Sequence, residues 1–361
     1  MTTRRYNYND LYVHTRAAFK KMGCSQEDAS TCANVLIAAE LRGIPSHGLM
    51  RLKDYMLMWQ KGRINASPKV QIVHETPTTA VIDADRAFGA IAGTRAMRIA
   101  IKKAEKYGSA WISVRNSSHF GIAGYYSMMA MKKEMIGITM TNANPLVAPT
   151  FSIDKLLGTN PVAVAIPAGK EHPFVADFAT TPIARGKLAI KEREGQEVPK
   201  GYVQSKEGIS SNDPGIITRG GAIVPLGSDY EHGSHKGYSM AAIVDIFSSV
   251  LSGANFGPFV PPQVPYLEQR EGAPGKGLGH FFGVMRIDGF QPADDFKAYM
   301  DQWIQTFKSA RPAKEHEEVL VPGEPERRYE EKYRKDGIPV SGKVIANIKE
   351  VYETLELKFD L

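Results

Sequence analysis

Two histidine-containing segments carry residue types that proton transfer and anion binding need. The first reads Ser46-His47-Gly48 and is followed by Arg51 and Tyr55. An unshifted histidine titrates at about 6.5, so it donates and accepts protons near neutral pH. An arginine fork pairs bidentately with a carboxylate and orients it. Together these groups indicate an enzyme that acts on a small carboxylic acid.

The spacing within this segment favours one shared surface. Arg51 follows His47 by one helical turn, and Tyr55 follows Arg51 by another. A helix that begins near Gly48 therefore places all three side chains on one face. The alternative is that Ser46 and His47 only cap this helix and that Arg51 lies in solvent. Spacing alone leaves both interpretations open.

The second segment runs from Asn116 to Gly121 and contains His119. It lies between an apolar stretch typical of a strand and a helical stretch that begins near Gly121. The edge between strand and helix is where α/β proteins bind ligands, and a helix N-terminus attracts anions such as a pyrophosphate. A capping turn with an incidental histidine is the alternative.

Three further motifs carry weaker signals. His235 and Lys236 stand at the glycine-flanked start of an apolar helical stretch, where they would add cationic donors to the helix dipole. The segments that begin at Thr159 and Asp177 lie at strand edges, and either one is more often a turn than a site. His232 and His235 have no cysteine or paired carboxylate at ligand spacing, so we expect no metal site.

Composition restricts the class of protein. The 361 residues allow about two domains, and the net charge of +6 comes without a run of like charges, so we expect no nucleic-acid partner. The longest apolar tract, 240–251, contains Asp245 and is too short for a membrane span. Cys24 and Cys32 are the only cysteines, and the first residues lack the apolar core of a secretory signal. These features predict a cytoplasmic protein.

The elements that must position these residues change in type along the chain. Apolar residues recur at helical spacing in the first 65 residues, which predicts three helices. From residue 70, short apolar stretches alternate with helical ones, as in an α/β sheet domain. The predicted helices cover 9–22, 25–42, 49–61, 91–106 and 122–133, and the predicted strands cover 70–73, 80–83, 110–114, 136–141, 162–166 and 174–177.

The second half of the chain reads mainly as loop and helix. Polar and glycine-rich residues predict a loop over 206–225, and the apolar residues 237–251 predict a buried helix. The Gly- and Pro-rich stretch 253–279 predicts a long loop, either functional or swapped between subunits. Helices are expected at 293–310, 324–334 and 341–353. The GxGxxG fingerprint is absent, so a bound dinucleotide would need another architecture.

Several motifs together resemble the malate/L-lactate dehydrogenase family, which is unrelated to the Rossmann-fold enzymes of similar name. They occur in the order and at the spacing of that family across nearly the whole chain. They are SHGLMRLKDY at 46–55, NSSHFG at 116–121, GTNP at 158–161, DFATTPIARGK at 177–187, HKGY at 235–238, LSGA at 251–254 and VPGEPE at 321–326.

The resemblance implies a fold and an activity. The fold is α/β, with a non-Rossmann mixed-sheet domain for the dinucleotide over 71–291. A helical region built from 1–70 and 292–361 contributes substrate residues and dimer contacts, and the protein is expected to be a homodimer. The activity is NAD-dependent (NADP possible) interconversion of a small 2-hydroxy acid and its 2-oxo acid. Malate is the first choice of substrate.

The resemblance also implies roles for individual residues. His47 transfers the proton with Ser46 as its hydrogen-bonded helper, although some members use the histidine that matches His119. Arg51 clamps the substrate carboxylate, and Tyr55 and Thr159 line the substrate pocket. The residues expected to hold the cofactor are His119, Phe120, Gly121, Ile122, Ala123, Asp177, Phe178, Ala179, His235, Lys236, Pro322, Gly323 and Glu324.

Two departures and several alternatives stay open at this point. Lys53 replaces a common proline, and Ser205 stands where an acidic residue is usual, which puts a proton relay through that carboxylate in doubt. The alternative substrates are lactate, ureidoglycolate, sulfolactate or, with NADPH, cyclic imino acids and diketo sugar acids. A non-catalytic dinucleotide-binding protein is the alternative from another class. Lys53 and Arg185 are the conceivable partners for a second carboxylate.

Overall fold

The computed structural model describes residues 3–360 and is organised around a seven-stranded mixed sheet. The helices are α1 Tyr8–Lys21, α2 Gln26–Leu41, α3 Arg51–Gln60, α4 Gly89–Tyr107, α5 Ala123–Met131, α6 Arg185–Arg193, α7 Ser234–Asp245, α8 Ala293–Lys308, α9 Glu324–Asp336 and α10 Gly342–Thr354. The strands are β1 Thr3–Tyr6, β2 Gln71–Glu75, β3 Thr79–Asp83, β4 Ser109–Ser117, β5 Met135–Thr141, β6 Val162–Ile166, β7 Phe174–Phe178, β8 Val203–Gln204, β9 Ser210–Ser211, β10 Ala222–Ile223, β11 Leu278–Arg286 and β12 Ile338–Ser341.

The strand order of the main sheet is β2-β3-β4-β11-β5-β6-β7. Only β3 and β4 run parallel, so the mixed α/β fold that the resemblance implies is confirmed. Six of the seven strands lie where the apolar stretches predict them. The stretch predicted as loop over 206–225 instead contains β9 and β10 of a small three-stranded sheet.

The central strand β11 is the one strand of the seven-stranded sheet that the sequence analysis misses. It pairs with β4 on one side and β5 on the other. Gly283 lies against the ring of Trp111, since a Cβ there would lie 2.4 Å from it. Gly279 lies as tightly against the carbonyl of Ser248. These glycines follow a Gly- and Pro-rich loop and hide the strand pattern, although close packing requires them.

The two faces of the sheet are covered by different helices. Ile112 and Val114 of β4 are fully buried in a core shared with α4. Ser113 points to the opposite face, where its hydroxyl donates to the carbonyl of Phe247 at 3.1 Å. That carbonyl belongs to a π-helical turn, Ile246–Val250, that extends α7.

The prediction of a buried helix over 237–251 is wrong in one respect. The helix exists as α7 and its π-helical extension, but only one face is buried. Ile243 is 48% exposed and Val250 58% exposed, while Val244 and Ser248 face the sheet. Apolar composition alone does not distinguish a buried helix from one that covers a sheet on one side and presents apolar residues on the other.

The helices of the two ends of the chain pack together. Helix α10 lies against α3, α9 lies against α2, and β1 pairs antiparallel with β12. Helix α8 instead contacts the main sheet, where Trp303 packs edge-on against Phe174 of β7. One hydrophobic core runs from α1–α3 into α4 and the sheet, so the expected division at residue 70 stays a prediction.

We expect Gly283→Ala to destabilise the protein, because the added methyl group would overlap the Trp111 ring in the centre of the sheet. Overpacking of this kind costs about 1–3 kcal/mol of unfolding free energy. Urea denaturation followed by circular dichroism measures it. Gly289→Ala is the control, because a Cβ at Gly289 meets no heavy atom within 4 Å. An equal effect of both substitutions would contradict the packing argument.

Candidate active site

The first histidine segment forms a tight turn between α2 and α3. Pro45–His47 is one turn of 3-10 helix, and the proline breaks the helical hydrogen bonding at its start. Ser46 Oγ is hydrogen-bonded to His47 Nδ1 at 2.9 Å. Arg51 Nε donates to the Ser46 carbonyl at 2.8 Å, so the guanidinium is fixed beside the imidazole. The interpretation that Arg51 lies free in solvent is therefore wrong.

The second histidine lies against the first. The rings of His47 and His119 are stacked with their centroids 5.4 Å apart. Tyr55 is hydrogen-bonded through its hydroxyl to His119 Nδ1 at 2.7 Å. Since Ser46 and Tyr55 occupy the two Nδ1 atoms, each ring has only Nε2 left for a bound molecule. The two segments and Arg51 thus meet in one cluster, and the cleft is the region bounded by Ser46, His47, Arg51, Tyr55 and His119.

Burial sets the protonation of this pair. Burial, and then the Arg51 guanidinium, lower the pKa of His47 to about 4. The same two causes, together with His47, hold the pKa of His119 well below its usual value. Both imidazoles are therefore neutral at pH 7 and able to accept a proton. Burial also raises the pKa of Tyr55, so its phenol keeps the proton that the hydrogen bond to His119 uses.

A buried carboxyl group stabilises the turn that carries His47. Glu40 of α2 is 4% exposed, and its Oε1 accepts the main-chain N–H of Leu49 at 2.7 Å. A Cβ at Gly48 would lie 2.3 Å from that oxygen, so only glycine allows this approach. Burial raises the pKa of Glu40 to about 7. Sequence reasoning misses Glu40, because a glutamate near a helix end usually faces solvent.

A wall of the cleft comes from the long loop that follows α7. Gln263 accepts the main-chain N–H of His119 at 2.7 Å through its side-chain oxygen. The loop is tied to the end of α3, since Lys61 donates to the Pro265 carbonyl at 2.6 Å and Arg63 donates to the carbonyl of Val264 at 3.1 Å. The sequence predicts a long loop over 253–279, either functional or swapped between subunits, but nothing in its composition singles out Gln263.

The residues expected to hold a cofactor group around the end of β7. The Asp177 carboxylate accepts the N–H of Gly124 at 2.8 Å, and burial raises its pKa to about 6. The carboxylate of Asp177 therefore binds the N-terminus of α5, which is the helix start that the sequence analysis considers for a pyrophosphate. On the same strand, the N–H of Val175 donates to the carbonyl of Pro322 at 3.1 Å. The segment 322–324 thus lies against β7.

Thr159 lies beside the end of β7, whereas His235 and Lys236 begin α7. The Thr159 carbonyl accepts the N–H of Thr180 at 2.9 Å, two residues beyond Phe178. His235 and Lys236 are in the first turn of α7, which has no side-chain cap. His235 Nδ1 is buried and has no hydrogen-bond partner within residues 3–360. An uncapped helix start with a cationic side chain and an unused ring nitrogen suits a phosphate-containing cofactor.

The structure thus separates the predicted residues into two groups. Ser46, His47, Arg51, Tyr55 and His119 are brought together around one cleft. The cofactor residues of β7, α7 and 322–324 make no described hydrogen bond to the histidine pair. The segment that begins at Gly186 lies against the first group, because a Cβ at Gly186 would lie 3.2 Å from the Ser46 Cβ.

Two kinds of feature are absent from residues 3–360. That part of the chain contains no grouping of three or more histidine, cysteine, aspartate or glutamate side chains suited to a metal ion. It also contains no helix with the length and apolar character that crossing a bilayer requires.

Ser205 stands where the resemblance predicts an acidic residue. It lies in the turn between β8 and β9, and its hydroxyl donates to Oε2 of Glu207 at 2.7 Å.

Comparisons with known proteins agree with this geometry. A family model described as malate/L-lactate dehydrogenase matches residues 6–349. A malate dehydrogenase of Pyrococcus horikoshii is 40% identical over 332 residues, covering 92% of this chain and 90% of the relative. An L-sulfolactate dehydrogenase of Methanocaldococcus jannaschii is 38% identical, with 94% of both chains covered. A malate dehydrogenase structure from Entamoeba histolytica superposes with a TM-score of 0.93 at 35% identity, covering 100% of each chain.

We expect Glu40→Gln to stabilise the protein at alkaline pH. The folded-state pKa of Glu40, about 7, is above the unfolded value near 4.3, so its contribution to stability is present at low pH and is lost as the pH rises through 7. Glutamine keeps the acceptor for Leu49 and removes the buried charge. The free energy of unfolding should rise by roughly 1–3 kcal/mol at pH 8, and by less at pH 5.

Urea denaturation of both proteins at pH 5 and pH 8 measures this difference. Glu353→Gln, at an exposed position on α10, is the matched control and should leave the pH dependence unchanged. The same gain at both pH values would mean that the charge of Glu40 is not its cause.

Proposed function

Because the chain belongs to the malate/L-lactate dehydrogenase family, and is therefore an oxidoreductase that acts on the CH–OH group of hydroxy acids, we propose that it is an NAD-dependent malate dehydrogenase. The relatives named malate dehydrogenase support malate and oxaloacetate as the substrate pair. The observation that carries the proposal is the convergence of two neutral imidazoles and one guanidinium on a single cleft.

The proposed mechanism assigns one task to each group. A bound nicotinamide ring would supply the hydride acceptor for C2 of the hydroxy acid. Arg51 holds the C1 carboxylate, since its Nε is fixed by Ser46 and its remaining donors form a fork. The Nε2 atom of His47 takes the hydroxyl proton, because its Nδ1 is engaged by Ser46. His119 Nε2 is the alternative acceptor, with Tyr55 and Gln263 holding its ring and main chain.

The proposed cofactor site is formed by the end of β7, the start of α7 and residues 322–324. His235 and Lys236 would face the pyrophosphate from the uncapped start of α7. Asp177, Phe178 and Ala179 would line the site from β7, and 322–324 would close it. NAD is the proposed cofactor and NADP the alternative, and initial rates with NADH and NADPH at matched concentrations distinguish them.

The proposed compartment is the cytoplasm. Cys24 and Cys32 are both free thiols. Buried free thiols are typical of proteins in a reducing compartment, which supports this placement.

We expect the protein to oxidise NADH in the presence of oxaloacetate, as followed by absorbance at the nicotinamide band. His47→Asn should lower kcat by about two to four orders of magnitude, because it removes the proton acceptor. The variant should bind cofactor as tightly as the parent in calorimetry, which controls for misfolding.

Other results would redirect or reject the proposal. An intact rate in His47→Asn together with a loss in His119→Asn assigns the proton to His119. Faster turnover of sulfopyruvate than of oxaloacetate favours a sulfolactate dehydrogenase, the activity named for the Methanocaldococcus jannaschii relative. Cofactor binding without turnover of any 2-oxo acid would leave a non-catalytic binding protein.

We also propose that the protein is a homodimer. The resemblance implies dimer contacts from the helical region 1–70 and 292–361, whereas the exposed apolar face of α7 favours a contact through that helix. This face and its π-helical extension present several large apolar side chains to solvent, which a monomeric protein seldom does over so long a stretch. A second copy related by a twofold axis buries the same face on both subunits. The side chains concerned are Met240, Ile243, Ile246, Phe247, Val250 and Leu251, between 37% and 58% exposed.

Charge on this face should separate the subunits. We expect Ile243→Asp combined with Val250→Asp to give a monomer at concentrations where the parent is a dimer, because two carboxylates would be buried at each copy of the face. Sedimentation velocity measures the mass. Val13→Asp, at a position on α1 that is as exposed as Ile243, should leave the mass unchanged. A parent protein that is monomeric would overturn the proposal.

A further inference from the structure

A dicarboxylate substrate has one acid group more than Arg51 can hold. In malate the C1 carboxylate is next to the reacting carbon, and a second carboxylate lies two bonds further on. A buried or half-buried anion needs a positively charged partner. Two cations close to Arg51 in the sequence or the structure are Lys53 and Arg185.

The ammonium group of Lys53 is already paired with a carboxylate. Its Nζ lies 2.5 Å from Glu350 Oε2, and Glu350 belongs to α10. The ion pair holds α3 against the C-terminal helix, on a different side of α3 from the face that carries Arg51 and Tyr55. Lys53 therefore has a structural role, and its charge is already balanced.

Arg185 stands at the cleft. It is the first residue of α6, and the next residue, Gly186, packs against the side chain of Ser46. Its charge reaches the carboxyl of Asp54, which is also paired with Arg51 at 3.4 Å. The Arg51 and Arg185 charges therefore both act on the carboxyl of Asp54, and both residues lie near the turn that carries His47.

Most N–H donors of the Arg185 guanidinium have no hydrogen-bond partner within residues 3–360. Its one described polar contact is a long one, 3.4 Å from Nη2 to the hydroxyl of Tyr266. Tyr266 belongs to the loop whose Gln263 holds His119, so the cleft wall that positions the histidine also reaches Arg185. Arg185 is half-buried, and no carboxylate within residues 3–360 pairs with it at ion-pair distance.

We propose that Arg185 is the specificity-determining residue that binds the distal acidic group of the substrate, a carboxylate or a sulfonate, while Arg51 binds the carboxylate next to the reacting carbon. This inference rests on the proposed function. Tyr266 is a positioning residue that orients the Arg185 side chain toward the cleft. The enzyme therefore prefers 2-oxo acids with two acid groups to those with one.

The test compares substrates that differ only in the distal group. Values of kcat/KM are measured for oxaloacetate, sulfopyruvate and pyruvate with the full-length parent and with Arg185→Gln. We expect the ratio of oxaloacetate to pyruvate to fall about 10- to 100-fold, the size of a lost charge-assisted contact. Arg185→Lys should recover part of the ratio, and Tyr266→Phe should lower it less than Arg185→Gln does.

The controls separate specificity from a structural effect. Lys53→Gln should leave the substrate ratio unchanged, because its charge is balanced by Glu350. If Arg185→Gln lowers kcat/KM for all three acids by one common factor, or leaves the ratio at the parental value, the inference is overturned. A parent protein that reduces no 2-oxo acid at all rejects the proposed function instead, so the two failures are distinguishable.

Discussion

The hydrogen bond between Tyr55 and His119 is the contact on which the site depends most. It joins residues 64 positions apart and fixes a helix near the N-terminus to a loop at the edge of the sheet. Since Arg51 lies one turn earlier on the same helix, that bond also sets where the guanidinium stands relative to the ring. The cleft exists only because α3 and the end of β4 are held in this arrangement.

Burial keeps the two histidines of the cleft uncharged by lowering their pKa values. His47 and His119 are stacked and neutral, so they add no repulsion to the nearby guanidinium. An incoming anion is attracted by Arg51 and at the same time raises the affinity of the imidazoles for a proton. In the proposed mechanism, substrate binding thereby raises the proton affinity of the imidazoles electrostatically, without a conformational change.

Local pattern predicted most of the strands and helices and drew attention to the two histidine segments, which the structure brings together. Strands and helices with clear periodicity lie where expected, and the His47 and His119 loops were visible because turn residues flank them. The strand at 278–286 was hidden by glycines that serve packing, and the exposed face of α7 cannot be inferred without the sheet beneath it. Gln263 and Glu40 act through contacts distant in sequence, which no spacing rule reports. The roles of the individual site residues stay predictions.

The position of α10 against α3 has a consequence for biosynthesis. Residues 342–354 leave the ribosome after every residue of the cleft, yet they brace the helix that carries Arg51 and Tyr55 through the Lys53–Glu350 ion pair. Strand β12, which pairs with β1, is also made late. A nascent chain therefore lacks this support for α3 until translation is nearly complete, so the arrangement of Arg51 and Tyr55 is completed late in synthesis.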